Sequence, residues 1–460
     1  MNLKLSVKNV AILIVAFVTT QQANSGLKAL TEVTENSEVK ELYLPSEIWK
    51  VPKNNNFKND TSEFSYLRMK ESKNLAIFWA KRFGNDPMAN PDTLLRFDVD
   101  YILKEGERIY DYYVNDLKFV EKGNSITDKY KCLIFIIDDK GGTAFGGGAE
   151  DKVGIFWAPP VRMRKAPFGA LAHELGHSFQ YLSRIDKAKK KAVSGRGGGP
   201  SLGEMTSQYM LWNVYPNWIT FENYHLVDFM KQTHLAYLHP KNMYHSPFVM
   251  EYWSNKHGID IMSKIWSESE GNEDPVMAYK RITSISQEEF NNEIFDAACR
   301  FITWDMKRIE NFSKKYTNQH FSKLDSIGNG WYKISVEKCP QNYGYNGIKL
   351  LVPAKEKEVT LNFKGIAGAE GYSSINIDKA GWRYGFLAVK ADGSRVYGKI
   401  NSESVGEVKF KVPKDTQYLW LVVSGAPTEH WPITRGNEKE EQWPYQIKLS
   451  GTSIDIAAMK

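Results

Sequence analysis

Residues 167–182 read PFGALAHELGHSFQYL, and this stretch decides how the centre of the chain folds. Apolar residues recur in it every three or four positions, which predicts an amphipathic α-helix. The apolar stripe consists of Phe168, Leu171, Ala172, Leu175, Phe179 and Leu182. At about 100° per residue, His173 and His177 lie only about 40° apart and roughly opposite that stripe. The sequence therefore predicts a helix with a core face and a separate imidazole face.

The five residues from His173 to His177 have the form H-E-x-x-H. Two imidazoles one helical turn apart can occupy two corners of a zinc tetrahedron, and Glu174 then lies beside a water on the metal. This pattern predicts zinc-dependent hydrolysis with Glu174 as the general base. The alternative is a pair of surface histidines with an incidental glutamate.

The pattern H-E-x-x-H-x-x-G-x-x-H would supply a third ligand nearby, and this chain departs from it twice. Gln180 stands where the glycine is needed, and Ser183 stands where the third histidine is needed. The third ligand must therefore come from another part of the chain.

Glu204 is the only carboxylate between Asp186 and Glu222. A second helix is predicted around it from the helical spacing of Leu202, Met205, Tyr209 and Trp212. We expect Glu204 to be the third ligand, because a carboxylate on a mostly buried helix favours a cation nearby. The alternative is a first-turn glutamate that interacts with the helix dipole. Glu222 and His225 are the next candidates along the chain.

These two predicted helices resemble those of the gluzincins, zinc metallopeptidases in which a second helix donates a glutamate. The run from Glu204 to Gln208, Glu-x-x-Ser-Gln, is similar to the Glu-x-x-Ser-Asp run of thermolysin-like enzymes. In those enzymes the final acid orients a zinc-binding histidine, and here Gln208 takes its place. The resemblance implies a zincin-like domain, Zn²⁺ bound by His173, His177 and Glu204, and hydrolysis of peptide bonds. Elsewhere, stretches such as 229–234 and 425–431 resemble uncharacterised secreted proteins of Bacteroidetes.

A peptidase of this kind also needs a donor for the oxyanion that develops on the substrate carbonyl. Tyr244 and His245 are the leading candidates, because they occupy a polar break between helices after Glu204. His225, His234 and His257 are alternatives. By resemblance to zincins, 154–157 is a candidate for the edge strand that pairs with substrate, and a core strand is the alternative.

Changes in periodicity along the chain predict an α+β protein with four parts. Residues 1–25 are a predicted signal peptide, and 26–60 form an extended lead-in. Residues 61–324 form the zincin-like domain, with an α/β part (61–160) and a helical part (161–324). Within the α/β part we expect strands at 75–80, 132–137 and 153–157, a helix around 99–113, and a glycine-rich loop at 141–148. Residues 325–460 are predicted to form a β-sandwich.

Tryptophans in the predicted sandwich could stack on sugars, and the sequence leaves glycan contact open. Trp420 lies in a buried-strand pattern, whereas Trp431 and Trp443 flank turns and are the better surface candidates. Cys132, Cys299 and Cys339 show no Cys-x-x-Cys spacing, so neither a disulfide framework nor a thiolate zinc site is indicated. We expect a buried thiol at Cys132.

The net charge of +6 reflects 60 basic and 54 acidic residues, an excess too small and dispersed to favour a nucleic-acid partner. Lys4 and Lys8 precede a short apolar run and a small-residue cleavage pattern, which predicts export to the periplasm or the extracellular space. No segment is long enough for a membrane span.

We therefore expect a secreted zinc peptidase that acts on extracellular proteins or glycoproteins. The competing hypothesis is a secreted glycan- or matrix-binding protein with an inactive zincin-like domain.

Overall fold

The structure is a computed structural model that describes residues 39–190, 199–354, 357–432 and 440–459. The predicted signal peptide and residues 26–38 of the predicted lead-in lie outside this part of the chain. Lys40–Lys460 form one compact unit. The described residues form a mixed α and β protein with ten α-helices, three sheets and a β-rich C-terminal region, which agrees with the predicted mixture.

The first sheet has five strands in the order β1-β2-β3-β5-β4. Its central strands are parallel, and β1 and β4 are antiparallel edges. All residues of β2, β3 and β5 are buried, because layers of structure cover both faces. The elements are β1 (Met69–Glu71), β2 (Leu75–Trp79), α1 (Val99–Asn115), β3 (Cys132–Ile136), β4 (Phe145–Ala149) and β5 (Val153–Ala158).

Two expectations for this sheet need correction. The glycine-rich stretch 141–148 was expected to be a loop, yet Gly146, Gly147 and Gly148 belong to strand β4. The stretch 154–157 is not the edge strand, because β5 lies between β3 and β4. Its core alternative is the one observed, and β4 takes the edge position.

Residues 40–64 pass along the first sheet and contact its central strands β2, β3 and β5 as well as its edge strand β4. We call this segment the strap. Ile48 and Phe64 are buried in the core. The backbone N–H of Ser46 donates to Glu150 Oε1 at 2.7 Å, and the hydroxyl of Tyr43 donates to the same carboxylate. The strap is thereby fixed to the turn between β4 and β5.

Nine further helices follow β5 in the described part of the chain, and the first of them packs against β4 and β5. They are α2 (Gly169–Lys190), α3 (Gly199–Val214), α4 (Trp218–Phe221), α5 (Asn223–Lys231), α6 (Phe248–His257), α7 (Ile261–Glu268), α8 (Pro275–Thr283), α9 (Gln287–Phe301) and α10 (Glu310–Ser313). The predicted apolar stripe is confirmed, since Phe168 just before α2 and the five stripe residues within α2 are each at most 1% exposed. In the part of the chain that is described, no helix has both the length and the apolar character needed to cross a membrane.

The C-terminal region contains two antiparallel sheets with the strand orders β11-β10-β13-β8 and β12-β9-β14-β7-β6. Their strands are β6 (Leu324–Gly328), β7 (Trp331–Ile334), β8 (Tyr345–Leu350), β9 (Glu358–Gly365), β10 (Trp382–Lys390), β11 (Arg395–Tyr397), β12 (Val405–Lys411), β13 (Thr416–Gly425) and β14 (Tyr445–Ser450). Side chains from both sheets share one apolar cluster, in which Phe363 of β9 stacks on Tyr384 of β10 at 4.0 Å between ring centroids.

The four-stranded sheet is buried on its other face as well. Leu387, Val389, Trp420 and Val422 belong to the core that contains the helices. Arg383 of β10 donates to Asn292 Oδ1 of α9 at 2.7 Å. The four-stranded sheet therefore lies between the helices and the other C-terminal sheet, which has the strand order β12-β9-β14-β7-β6.

Candidate metal centre

Helices α2 and α3 bring three side chains together on the face of α2 opposite its apolar stripe. His173 Nε2 and His177 Nε2 each lie 3.1 Å from Glu204 Oε2, and the two nitrogens are 3.1 Å apart. In a tetrahedral zinc site, bonds of about 2.0–2.1 Å place neighbouring ligand atoms about 3.3 Å apart. The triangle of His173, His177 and Glu204 therefore has the size and the donor chemistry that could hold a metal ion.

The outward-facing nitrogens of both histidines contact glutamine oxygens. His173 Nδ1 lies 3.0 Å from Gln208 Oε1, and His177 Nδ1 lies 3.2 Å from Gln180 Oε1. The amide nitrogen of Gln208 donates to Tyr244 O at 2.8 Å, and that of Gln180 donates to Gly203 O at 2.9 Å. These donor bonds fix which end of each amide faces its histidine.

A glutamine oxygen only accepts hydrogen bonds, so each Nδ1 must carry the proton in a neutral ring. Each Nε2 then presents a lone pair toward Glu204. Three acceptor atoms thus converge within 3.1 Å of one another. Such an arrangement is favourable when a cation lies among them, and ligand histidines of metal sites are oriented by bonds of this kind. The described residues therefore fit a bound metal cation.

The carboxyl groups of Glu204 and Glu174 differ in their electrostatic surroundings. Burial opposes ionisation of Glu204, but its close contacts with the imidazoles of His173 and His177 outweigh that effect and hold the pKa of its carboxyl well below the usual range. Burial raises the pKa of Glu174, which is 8% exposed. No described residue donates a hydrogen bond to the carboxylate of Glu174, so that carboxylate is available to accept a proton.

Of the oxyanion candidates, Tyr244 lies beside the triangle and His245 does not. The ring of Tyr244 is 6.3 Å from that of His173 between centroids. Burial, and then the nearby carboxylate of Glu204, raise the pKa of Tyr244 to about 12. Its hydroxyl therefore keeps its proton at neutral pH. His245 instead faces His225, with 2.8 Å between their Nδ1 atoms.

The remaining candidates from the sequence lie away from the triangle. Glu222 Oε2 accepts from Trp218 Nε1 at 2.6 Å, and His225 stacks on Trp218 at 5.4 Å between ring centroids. His257 packs against Tyr279, and the carbonyl of His234 accepts from the backbone of Gln341.

Strand β4 crosses α2 directly at the candidate site. A Cβ atom at Gly146 would lie 2.4 Å from the carbonyl oxygen of Glu174 and 2.9 Å from His177 Cβ. A Cβ at Gly148 would overlap the ring of Tyr181. Glycine is therefore required where the edge strand meets the helix, which explains the composition that suggested a loop.

Sequence reasoning missed Gln180 as a partner of the site. It was noted only as a departure from the longer histidine pattern, although it follows His177 by three residues. Residues three apart on a helix are neighbours on its surface, so this spacing was the available signal. The donor contacts of Gln208 to Tyr244 and His225 join distant parts of the chain and left no local pattern.

In comparisons with known proteins, the family model "Family of unknown function (DUF6055)" matches residues 34–456. No curated protein matches the chain. One similar solved structure is the Yersinia pseudotuberculosis-derived mitogen, with 11% identity, a TM-score of 0.17, and coverage of 28% of this chain and 86% of the mitogen. Another is the C-terminal family 22 carbohydrate-binding module of Clostridium thermocellum Xyn10B, with 11% identity, a TM-score of 0.18, and coverage of 29% and 80%.

Proposed function

We propose that this chain, which belongs to the DUF6055 family of unknown function, is a secreted zinc-dependent peptidase. The observation that carries the proposal is the convergence of His173 Nε2, His177 Nε2 and Glu204 Oε2 at 3.1 Å. The glutamine oxygens beside both Nδ1 atoms support it, because they favour the tautomers that leave each Nε2 free to bind a metal. Two imidazoles and one carboxylate would leave a fourth position open, which is typical of catalytic zinc sites.

When bound, the zinc ion would lower the pKa of a water and polarise a substrate carbonyl. Glu174 would take the proton of that water as it attacks and then pass the proton to the leaving amine. The raised pKa of this buried carboxyl suits the role, because a base must hold the proton before returning it. Tyr244 would donate its hydroxyl proton in a hydrogen bond to the developing oxyanion.

We further propose that substrate lies extended along the free edge of β4. This edge strand pairs with β5 on one side only among the described residues. Strand addition would satisfy the substrate backbone without reading its side chains, so extracellular proteins or glycoproteins of varied sequence fit the site.

Two variants test the proposed chemistry separately. Wild-type protein should contain about one equivalent of zinc and should cleave a mixed peptide library, with products read by mass spectrometry. Glu204→Ala should lose zinc affinity by orders of magnitude, because only two imidazoles remain. Glu174→Gln should keep the metal and lose hydrolysis. Wild-type protein without stoichiometric zinc would contradict the proposal.

Secretion is part of the proposal and rests on residues 1–25, which lie outside the described residues. Its test is N-terminal sequencing of the protein from its native host. We expect a mature chain that begins near Gly26. A mature chain that still begins at Met1 would contradict export by signal cleavage.

For the C-terminal region we propose a β-sandwich, supported by the apolar cluster that the two antiparallel sheets share. Glycan binding there has less support. Trp382, Trp420 and Trp443 are at most 4% exposed, so the expectation of a surface Trp443 was wrong. Trp331 and Trp431 are half-buried and could contact a sugar. Glycan-array binding that persists in Glu174→Gln, with no proteolysis by the wild type, would favour the binding function.

A further inference from the structure

A chain of hydrogen bonds runs from a candidate zinc ligand to the turn that carries Tyr244. The Gln208 side chain is at its centre and is 3% exposed. Its oxygen accepts from His173 Nδ1, and its nitrogen donates to Tyr244 O at 2.8 Å. The same nitrogen lies 3.1 Å from His225 Nε2. One side chain thus contacts the ligand, the Tyr244 backbone and a second histidine.

The donor bond from the Gln208 amide to Tyr244 O determines which atom donates and which accepts in each of the remaining contacts. The Gln208 amide donates, so His225 Nε2 accepts and the proton of that ring is on Nδ1. His225 Nδ1 then donates to His245 Nδ1, which lies 2.8 Å away. Burial lowers the pKa of His225 to about 3, so the ring is neutral as this pattern requires. Tyr244 and His245 are therefore each held by one bond of the chain.

We propose that Gln208 and His225 are positioning residues that hold the Tyr244–His245 turn in register with the metal ligands. The proposal rests on the proposed peptidase function. Tyr244 itself is 38% exposed, so little packing fixes its ring. The bond to its carbonyl and the contact between His225 and His245 hold the backbone that carries its ring, and its hydroxyl interacts with the carboxylate of Glu204. Neither Gln208 nor His225 touches substrate, and both act through Tyr244.

Gln208→Glu separates the two roles of this side chain. A carboxylate still accepts from His173 Nδ1, but it cannot donate to Tyr244 O and repels that carbonyl. We expect zinc to stay at one equivalent while kcat falls by roughly 10–100-fold, part of the effect of deleting an oxyanion donor. KM should change by less than about twofold, because ground-state binding is not altered.

His225→Ala removes the part of the hydrogen-bond chain that has no contact with a candidate metal ligand. We expect the same loss of kcat with unchanged zinc affinity, measured by competition with a chelator. His225→Gln should restore part of the rate, since its oxygen can accept from Gln208. The matched control is His257→Ala, a half-buried histidine that packs on Tyr279, and it should keep wild-type kinetics.

A double-mutant cycle shows whether His225 acts through Tyr244. In a Tyr244→Phe background, His225→Ala should cause no further loss of kcat. An equal loss in both backgrounds would overturn the proposal.

Hydrogen exchange of the metal-free, full-length protein tests the same chain of bonds independently of hydrolysis. The amides of Met243, Tyr244, His245 and Ser246 should exchange faster in Gln208→Glu and His225→Ala, and at the wild-type rate in His257→Ala. If the wild type binds no zinc and cleaves no peptide, the proposed function fails and the exchange result still decides this proposal. Unchanged exchange in both variants would overturn it.

Discussion

Gly146 lies where the edge strand β4 packs directly against the H-E-x-x-H helix, and there is no room for a side chain at this position. In Gly146→Ala the new Cβ would lie 2.4 Å from the backbone oxygen of Glu174, and that backbone cannot move aside as a flexible side chain would. We expect a loss of about 1–3 kcal/mol in the free energy of unfolding, measured by urea titration. Hydrolysis should fall with it, because β4 would move away from the candidate site.

Gly147→Ala is the matched control for this change, since nothing lies within 4 Å of its Cβ position. It should leave stability within about 0.5 kcal/mol of wild type. Equal losses for the two variants would show that strand propensity, and not contact with α2, determines the effect.

Gln180 provides a second prediction at the level of one residue. In Gln180→Leu the His177 Nδ1–H loses its acceptor, so the ring is no longer held with Nε2 toward the metal. We expect zinc affinity to fall by roughly 10–100-fold in a chelator competition. Gln446→Leu, a half-buried glutamine of β14, is the control and should keep wild-type affinity. Unchanged affinity in Gln180→Leu would mean that packing alone orients His177.

At the scale of elements, hydrophobic periodicity correctly predicted the helices and strands whose sequence is determined by a buried face. The apolar stripe of α2, the strands β2 and β3, and the alternation of Val359, Leu361 and Phe363 in β9 all follow from one buried face or from two. The candidate triangle could also be anticipated, since both histidines share one helix turn and Glu204 is the only carboxylate in its stretch.

Elements whose sequence depends on a distant neighbour were not predictable in this way. The glycines of β4 reflect contact with α2, and a run of glycines has no alternation that would indicate a strand. Trp443 flanks a polar stretch, yet it is buried in the apolar cluster between the two C-terminal sheets, where Trp382 Nε1 donates to its carbonyl. In both cases the determining contact lies far along the chain.

The strap is an element whose attachment should depend on pH. Hydrogen bonds from Ser46, and then from Tyr43, lower the pKa of Glu150 to about 2 from a usual value of 4.5. A depressed carboxyl pKa contributes stability above the unfolded value and loses it as pH falls through the folded value. Attachment of the strap should therefore weaken between about pH 4.5 and 2.

Fluorescence of Trp49, taken as the difference between the wild type and a Trp49→Phe variant, can follow this release during acid titration. Glu150→Gln should weaken the attachment at neutral pH and remove the dependence between pH 4.5 and 2. Glu47→Gln, another exposed carboxylate of the strap, is the control and should behave like wild type. A titration curve that Glu150→Gln does not alter would assign the acid response to other groups.

At the scale of the whole molecule, a buried hydrogen-bond chain connects the C-terminal region to the helices. His430 Nε2 lies 2.7 Å from Asp274 Oδ2, and His430 Nδ1 lies 2.9 Å from the hydroxyl of Tyr343. The side chains of Asp274 and His430 are 1% and 3% exposed. Asp274 also accepts from the N–H of Met277 and so caps α8.

We expect His430→Ala to lower the free energy of unfolding by about 3 kcal/mol, because it leaves a buried carboxylate without its partner. Tyr343→Phe removes only a hydroxyl and should cost about 1 kcal/mol. Urea unfolding measures both values. Equal effects of the two changes would indicate that the Asp274 contact contributes little.

The shared four-stranded sheet has a consequence for how this architecture could be inherited. An appended binding module travels between genes because its outer surfaces are already polar. If residues 325–460 were transferred to another protein, the helix-facing side of the four-stranded sheet would become exposed to solvent. This side carries Leu387, Val389, Trp420 and Val422. We therefore expect the C-terminal region and the helices to be inherited together. A recombination event that separated them would yield an insoluble product, so the two halves should be gained and lost together.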